Sequence, residues 1–358
     1  MSELNVVLSG AELRRFGALV GSAPTAISPL AGPPDGPVDP AHLARLGLLA
    51  PDGSIAPRAF PALRVLANAR SYAGVVLQDA GIFEHVVYFD GHDSVGLTSE
   101  TGGFRLQDPP PALGALLRAT LGEGIAVAVE LDDIFTAPEA SVFLGVMDLR
   151  RRQILQGLLE DRDAPVAPVD QAAISAWLGR PATGSQWLAP IVRDSVGAGL
   201  DPASIEAATR SLVGRQALAQ SGGDVIPGAA IAALAERFLL IRMLLRVRAG
   251  RSDGDRVVTT DLRVAQSAGF QHLLWEADAA GRVHLECVTP TGLASTIEHF
   301  LTDADALAAL VPAAVAAPVA VAASAGPAAP AARRFCPNCG APTAPGARFC
   351  PSCGTAVA

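Results

Sequence analysis

The sequence predicts an α+β protein with two related lobes, each of helices plus an antiparallel sheet, followed by a small C-terminal module. Segments with apolar residues at helical spacing precede segments in which apolar and polar residues alternate, which is typical of mixed folds. The same order of signals occurs twice along the chain. Four of the five cysteines lie close together near the C-terminus, apart from both lobes.

Length and charge restrict the classes of function. The chain has 358 residues, which suggests two or three domains, and 50% of its residues are hydrophobic. The net charge of −8 and the pI of about 5.3 argue against the main body as a general nucleic-acid binder, which is normally basic. The sequence contains no lysine. A Walker A phosphate loop and a lysine Schiff base are therefore excluded.

The first lobe is predicted over residues 1–135. The run from Ser9 to Glu12 is a capping box that opens a helix over residues 11–20. Asp39 followed by Pro40 predicts a second helix start, since aspartate caps a helix and proline suits its first turn. The lobe continues with a helix containing Phe60, Leu63 and Leu66, strands over 72–78 and 83–89, a hairpin over 97–106 that turns at Gly102, and a proline-initiated helix after Asp108.

A helical connector is predicted over residues 136–200, with helices over 143–159, 172–178 and 187–196. The basic run from Arg150 to Arg152 falls in the first of these helices. A solvated helix face is the preferred interpretation of this run, and a phosphate contact is the alternative.

The second lobe is predicted over residues 201–305 and begins, like the first, with a capped proline, here Asp201 and Pro202. The similar order of signals predicts an internal duplication, with chance similarity between two alanine-rich patterns as the alternative. The remaining predicted elements are a helix containing Ile231, Leu234 and Phe238, a strand over 240–248 in which Arg242, Arg246 and Arg248 alternate with apolar residues, a strand over 257–266, a hairpin over 273–288 that turns near Gly281, and a helix that begins at Thr289 and Pro290.

A flexible linker is predicted over residues 306–334, which are rich in alanine and proline. The segment has no charged residue before Arg333 and is long enough to span a membrane. Four prolines interrupt it, so we predict no membrane span.

Two cysteine boxes follow over residues 335–358, Phe-Cys-Pro-Asn-Cys-Gly and Phe-Cys-Pro-Ser-Cys-Gly. Two CxxC pairs suit a tetrahedral zinc ion, and four protein ligands leave no open position for catalysis. A pair of disulfides is the alternative. Residues 1–10 show no signal-peptide pattern, so a reducing cytoplasm is predicted, where thiols bind metal rather than oxidise.

The cysteine segment resembles the bacterial zinc-ribbon family. The resemblance implies one structural Zn²⁺ ion and an accessory module that contacts protein or nucleic acid. It implies four zinc ligands: Cys336, Cys339, Cys350 and Cys353.

No pattern in the two lobes predicts an active site, and we expect the protein not to be an enzyme. His284 and Cys287 lie in an alternating segment at a spacing that puts them on opposite strand faces. The acidic stretch from Glu130 to Asp133 fits a solvated loop better than a metal site. We assign no catalytic or cofactor-binding residue other than the zinc ligands.

The two lobes have the helix, sheet and helix order of winged-helix modules. They also resemble the EspG-type chaperones of type VII secretion in residues 59–66 (AFPALRVL) and 281–301 (GRVHLECVTPTGLASTIEHFL). In that family two related halves surround a sheet and hold helical secretion substrates. The resemblance implies an adaptor or chaperone-like protein with a protein partner. The alternative is a DNA-binding transcriptional regulator with winged-helix-like lobes.

Overall fold

The computed structural model describes residues 3–79, 81–124, 127, 129–197, 199–253, 256–278, 280–303, 334–335 and 342–343. Contacts between Cα atoms divide the chain into two compact units, residues 1–313 and residues 314–358. Each unit is described by itself.

The first unit contains one ten-stranded antiparallel sheet and a separate two-stranded hairpin, β7–β8. The order in the large sheet is β1-β5-β4-β3-β2-β9-β10-β11-β12-β6. The strands are β1 (Leu4–Leu8), β2 (Ser71–Gln78), β3 (Ile82–Asp90), β4 (Asp93–Glu100), β5 (Gly103–Asp108), β6 (Asp132–Thr136), β7 (Leu218–Ser221), β8 (Asp224–Pro227), β9 (Ile241–Asp253), β10 (Arg256–Ser267), β11 (His272–Ala277) and β12 (Arg282–Val288).

The helices are α1 (Gly10–Arg15), α2 (Pro40–Arg45), α3 (Phe60–Ala67), α4 (Gly114–Leu121), α5 (Ala137–Leu159), α6 (Gln171–Leu178), α7 (Leu188–Val196), α8 (Pro202–Gly214), α9 (Ala229–Arg237) and α10 (Pro290–Thr302). The predicted α+β class is confirmed. No helix of the described residues is both long and apolar enough to cross a membrane.

The two lobes share one continuous sheet, joined where β2 pairs with β9. Identical residues face each other across this junction in the pairs Ala73–Ala249, Val75–Val247 and Leu77–Leu245. All six side chains are buried. The strand order is symmetrical about this pair, because β3, β4 and β5 follow β2 outward as β10, β11 and β12 follow β9. The lobes are therefore halves of one sheet and not separate winged-helix-sized sheets.

The two edge strands come from the start of each half. β1 pairs with β5 at one edge, and β6 pairs with β12 at the other. Residues 132–135, which the sequence assigned to the first lobe, thus lie in the sheet of the second half. The helices α5, α6 and α7 from the predicted connector belong to a hydrophobic core that includes β11 and β12 of the second half.

Helix starts follow the predicted chemistry. Ser9 and Glu12 form the capping box of α1, and Asp39 and Asp201 cap α2 and α8. A further capping box, Thr136 with Glu139, opens α5. The capping boxes of α1 and α5 thus follow directly after the two edge strands, whereas α8, which has a capping box of Asp201 and Ser204, follows α7.

The buried apolar side chains of the described residues form three hydrophobic cores. On one face of the sheet, here called the front face, α1–α3 cover the outer strands of the first half and α5–α9 cover those of the second half. On the back face, α4 and α10 cover the central strands. The middle of the front face therefore has a helix layer on either side of it.

Two arginines of the basic run in α5 are buried, so the preferred prediction of a solvated helix face is wrong for them. Arg150 donates to the backbone oxygens of Ala164 and Pro165 at 2.6 and 2.8 Å. Arg151 is fully buried and donates to Asp148 at 2.6 Å. Arg150 thus joins α5 to the segment after it, and Arg151 also donates to the backbone oxygen of Leu239 at 3.2 Å, which joins α5 to the segment before β9.

The second unit has few described residues. Arg334–Phe335 (β13) pairs antiparallel with Pro342–Thr343 (β14). The predicted zinc ligands Cys336, Cys339, Cys350 and Cys353 lie outside the described residues, as does nearly all of the predicted linker.

Candidate functional site: a groove on the front face

A groove runs across the middle of the front face between the two helix layers. Its floor is formed by β3, β2, β9 and β10. In layered folds the apolar surface of a sheet is normally covered by a second layer. A stretch of sheet that is left open between two covered stretches is therefore the strongest candidate for a binding surface.

Three adjoining hollows of about 240, 310 and 280 Å³ make up the groove. The first and second share Glu84, Val86 and Tyr88, and the second and third share Val76 and Arg248. One wall comes from α1 and the loop after it, through Leu13, Arg14, Ala26, Ile27 and Pro29. The other wall comes from α7 and β11, through Ile191 and Trp275.

Two tyrosines and two glycines shape the middle of the floor. The rings of Tyr72 and Tyr88 lie 6.1 Å apart, and the Tyr72 ring covers Gly250, where an added Cβ would lie 2.4 Å from the ring. Gly74 carries no side chain, so the floor is deep beside the rings. Burial raises the pKa of both tyrosines, although nearby Arg248 and Arg246 lower that of Tyr72. Both hydroxyls stay protonated and available for hydrogen bonds.

An ion-pair network occupies the floor on β9 and β10. Arg246 donates to both carboxylate oxygens of Asp261, at 2.6 and 2.5 Å, and Arg263 donates to Asp261 at 3.0 Å. Burial by itself raises the pKa of Asp261, but the hydrogen bond from Arg246 and the charges of Arg263 and Arg246 lower it below its usual value. Asp261 is therefore ionised at neutral pH, and the network carries one net positive charge.

Arg248 is a further cation on the floor, opposite Gly74 on β2. Its Nε atom is buried and has no hydrogen-bond partner in the described part of the chain. A buried donor without a partner is costly, so Arg248 is held on the floor at a cost in stability.

The far wall is held by the indole of Trp275, which donates to Ser195 Oγ at 3.2 Å. This contact joins β11 to α7. The hydrogen bond holds this wall against the sheet.

The sequence predicted part of this site. The alternation of Arg242, Arg246 and Arg248 was visible in the sequence, and two of these arginines lie on the floor. Arg242 instead stacks over Phe270 at 4.7 Å, beyond the groove. Sequence reasoning did not select Tyr72, Tyr88 or Asp261. Their alternation within strands β2, β3 and β10 was the available signal, but it does not reveal which strands are neighbours.

Other candidate residues do not assemble into a catalytic set. His284 Nε2 lies 2.7 Å from Asp132 on the back face, whereas Cys287 packs against the front-face core. Burial raises the pKa of Cys287 to about 12, so it is a thiol and a poor nucleophile. No group of three side chains suited to hold a metal ion is found among the described residues.

Comparisons with known proteins agree with two predicted resemblances. Residues 335–357 match the zinc-ribbon domain family, so the chain carries a C-terminal zinc ribbon, and such a domain implies zinc binding. Among solved structures, the chain is similar to the Mycobacterium tuberculosis type VII secretion system chaperone EspG5, solved in complex with a PE25–PPE41 dimer. The identity is 12%, the match covers 83% of this chain and 95% of that chain, and the TM-score is 0.46. The search of curated proteins finds no match.

Proposed function

We propose that this protein is a zinc-ribbon-bearing adaptor of the chaperone type, whose front-face groove binds one helix of a protein partner. The observation that carries the proposal is the open floor between two helix layers, with tyrosines and arginines exposed to the groove. Aromatic residues and arginine are the side chains that most often dominate the binding energy of protein interfaces.

The dimensions of the groove favour a helix. Four strands at about 4.8 Å spacing give a floor roughly 15–20 Å wide. An α-helix with its side chains is about 10–12 Å in diameter, so one helix fits between the walls. An added strand does not fit the floor, because β3, β2, β9 and β10 already pair with strands on both sides. Recognition in the groove therefore depends on side chains.

The charges of the floor define the partner further. The paired network leaves one positive charge, and Arg248 adds another, against Glu84 at the edge of the second hollow. A helix with one apolar stripe and an acidic residue within reach of the Arg248 guanidinium complements both the tyrosine surface and the net positive charge of the floor.

For the tail, we propose Cys336, Cys339, Cys350 and Cys353 as ligands of one structural Zn²⁺ ion per chain. Four thiolates fit the preference of zinc for soft tetrahedral ligands. When bound, the metal supplies the folding free energy that so short a segment lacks. The proposed organisation keeps a flexible linker over residues 306–334 between ribbon and body, and a cytoplasmic location in which the thiols stay reduced.

A displayed library of amphipathic helices tests the groove. Helices selected on the wild-type protein are expected to lose affinity about 30-fold or more for Val76→Arg and for Arg248→Glu, since both changes are at the centre of the floor. The matched control is Ile134→Arg, at a residue on edge strand β6 that is 52% exposed. Thermal unfolding of each variant checks that the fold is retained.

Two outcomes would contradict the proposal. One is selected helices that bind the groove variants as well as the wild type. The other is tight binding of generic duplex DNA at about 50 mM salt that falls steeply as salt rises, which supports the regulator instead.

The metal proposal is tested by measuring zinc in the purified full chain. One zinc per chain is expected, with loss of the metal in Cys336→Ser and retention in the control Cys287→Ser, whose thiol lies in the sheet. The body is expected to unfold at the same temperature with or without metal. A lower unfolding temperature of the body in Cys336→Ser would show that the ribbon and body are not independent.

A further inference from the structure

A cavity of about 360 Å³ lies on the back face, between α10 and the strands of the second half. Its floor is apolar, with Leu262, Val264 and Leu274 from the sheet, and Leu293, Ile297 and Phe300 line it from α10. Gly292 and Thr296 also line it and are exposed, so the cavity opens to solvent along the side of the helix. Its volume is at the small end of ligand sites, which span about 300–1,000 Å³.

Acidic side chains mark the end of the cavity away from the centre of the sheet. Glu286 is part of the lining, and Asp132 faces it across the β6–β12 pair. Glu276 lies on the neighbouring strand, with its carboxylate 3.7 Å from His284 Nδ1. Three carboxylates around one imidazole leave this end negative whether or not the histidine is protonated. The described residues that line the cavity include no arginine.

The corresponding position on the back face of the first half is filled by other side chains of the chain. Gln107 and Glu286 stand at the same distance past the turn glycines Gly102 and Gly281, and their strand partners are Gly96 and Leu274. At Gly96 the space above the sheet is taken by the imidazole of His85 and the ring of Pro111, whose Cε1 and Cδ atoms would lie 2.9 and 3.3 Å from an added Cβ.

In the first half, Pro111 belongs to a run of prolines that separates the last strand, β5, from the helix α4. Three prolines follow Asp108, and α4 begins only at Gly114. In the second half α10 begins at Pro290, directly after its cap Thr289. The second half has no such proline run between β12 and α10, and its floor stays open beside the helix.

We propose that this back-face cavity binds a proline-containing basic segment of a protein partner. The apolar floor receives proline rings, as it does in the first half, and the acidic end binds an arginine or lysine that follows them. Proline is favoured for a physical reason. It has no backbone N–H, so it enters an apolar space without leaving a donor unsatisfied.

The site is independent of the front-face groove, because it uses the opposite face of the sheet. The probe is a fluorescein-labelled Pro-Pro-Pro-Arg-Arg peptide, measured by anisotropy with the full chain. Thr296→Trp, which fills the cavity, is expected to weaken binding at least about tenfold. Glu286→Gln is expected to weaken it about fivefold. The matched control is Ser295→Trp, at an exposed neighbour on the same helix.

The outcomes decide the proposal in both directions. Binding that is lost in Thr296→Trp, kept in Ser295→Trp and kept in the groove variant Val76→Arg supports it. Absence of binding at millimolar peptide overturns it, as does equal binding by Thr296→Trp. Equal binding of a peptide with glutamates in place of the arginines overturns the cationic part. If Thr296→Trp unfolds the chain, Glu286→Gln and the glutamate peptide decide the result.

Discussion

The two halves of the sheet have the same strand plan but differ in the helices that cover them. In the first half, the front-face layer consists of α1, α2 and α3, none longer than eight residues. In the second half, the 23-residue α5 dominates and packs with α7, α8 and α9. A helix layer is therefore free to vary as long as it buries the same face of the sheet.

The contacts that join one helix to the next are more alike in the two halves than the helices are. The capping-box glutamate of each half contacts the next Asp-Pro helix: Glu12 lies 2.8 Å from His42 Nδ1 on α2, and Glu139 accepts from Ser211 on α8 at 2.5 Å. The main difference is the Asp148–Arg151 pair of α5, in which both side chains are buried; each ion pair among the described residues of the first half, such as Arg14–Asp35, has at least one side chain in contact with solvent.

The largest expected effect comes from breaking that buried pair. Asp148 also accepts from the backbone N–H of Ala189 at 2.9 Å, so it holds α7 onto α5. Asp148→Ala leaves Arg151 buried and unpaired, and should lower the free energy of unfolding by about 3–5 kcal/mol. Chemical denaturation of the wild type and of Asp148→Ala measures this loss of free energy.

The control for this prediction is Asp35→Ala in the first half, which should leave the free energy of unfolding close to that of the wild type because Asp35 is exposed to solvent. Equal losses in the two variants would show that the helix layers do not differ in this way.

An acid-dependent loss of stability should be shared by both halves. Burial lowers the pKa of His85 in the first half and of His272 in the second to about 4, from an ordinary 6.5. The unfolded chain binds these protons below pH 6.5 and the folded chain does not. Their contribution is therefore complete above pH 6.5 and declines as the pH falls towards 4, by about 3 kcal/mol for each histidine.

Urea titrations of the wild type at pH 7 and pH 4.5 measure how much the free energy of unfolding falls with pH. His85→Gln and His272→Gln are each expected to reduce this fall by a similar amount. A variant that keeps the full wild-type dependence would contradict the assignment for that half. His284 acts in the opposite direction: burial lowers its pKa, but Asp132 and the glutamates raise it overall, so its smaller contribution is lost as the pH rises above 6.5.

The smallest effects should be equal in the two halves. Ser9→Ala and Thr136→Ala each remove one capping box, and each should cost about 1 kcal/mol. Amide hydrogen exchange at the first turns of α1 and α5 localises the loss. If exchange rises at one helix start only, the two capping boxes are not equivalent.

Much of the secondary structure was predictable because it depends on neighbouring residues. The capped starts at Ser9, Asp39 and Asp201, the alternation in β9 and the turns at Gly102 and Gly281 are all local signals. The burial of Arg150 and Arg151 was not predictable, since a run of arginines alone does not show that Asp148 and two backbone oxygens will receive them.

The sequence by itself determined most helix starts, the inner strands, the turns and the cysteine boxes, because caps, periodicity and ligand spacing act over a few residues; it did not indicate the edge strands β1 and β6. Only the tertiary structure decided that β2 pairs with β9, that β1 and β6 take opposite edges, and that a groove and a cavity remain on opposite faces. The alternation of apolar and polar residues indicates which face of a strand is buried, but it does not indicate which strand pairs with it. Both candidate sites lie where strands from distant parts of the chain meet, so they exist only once those pairings are made.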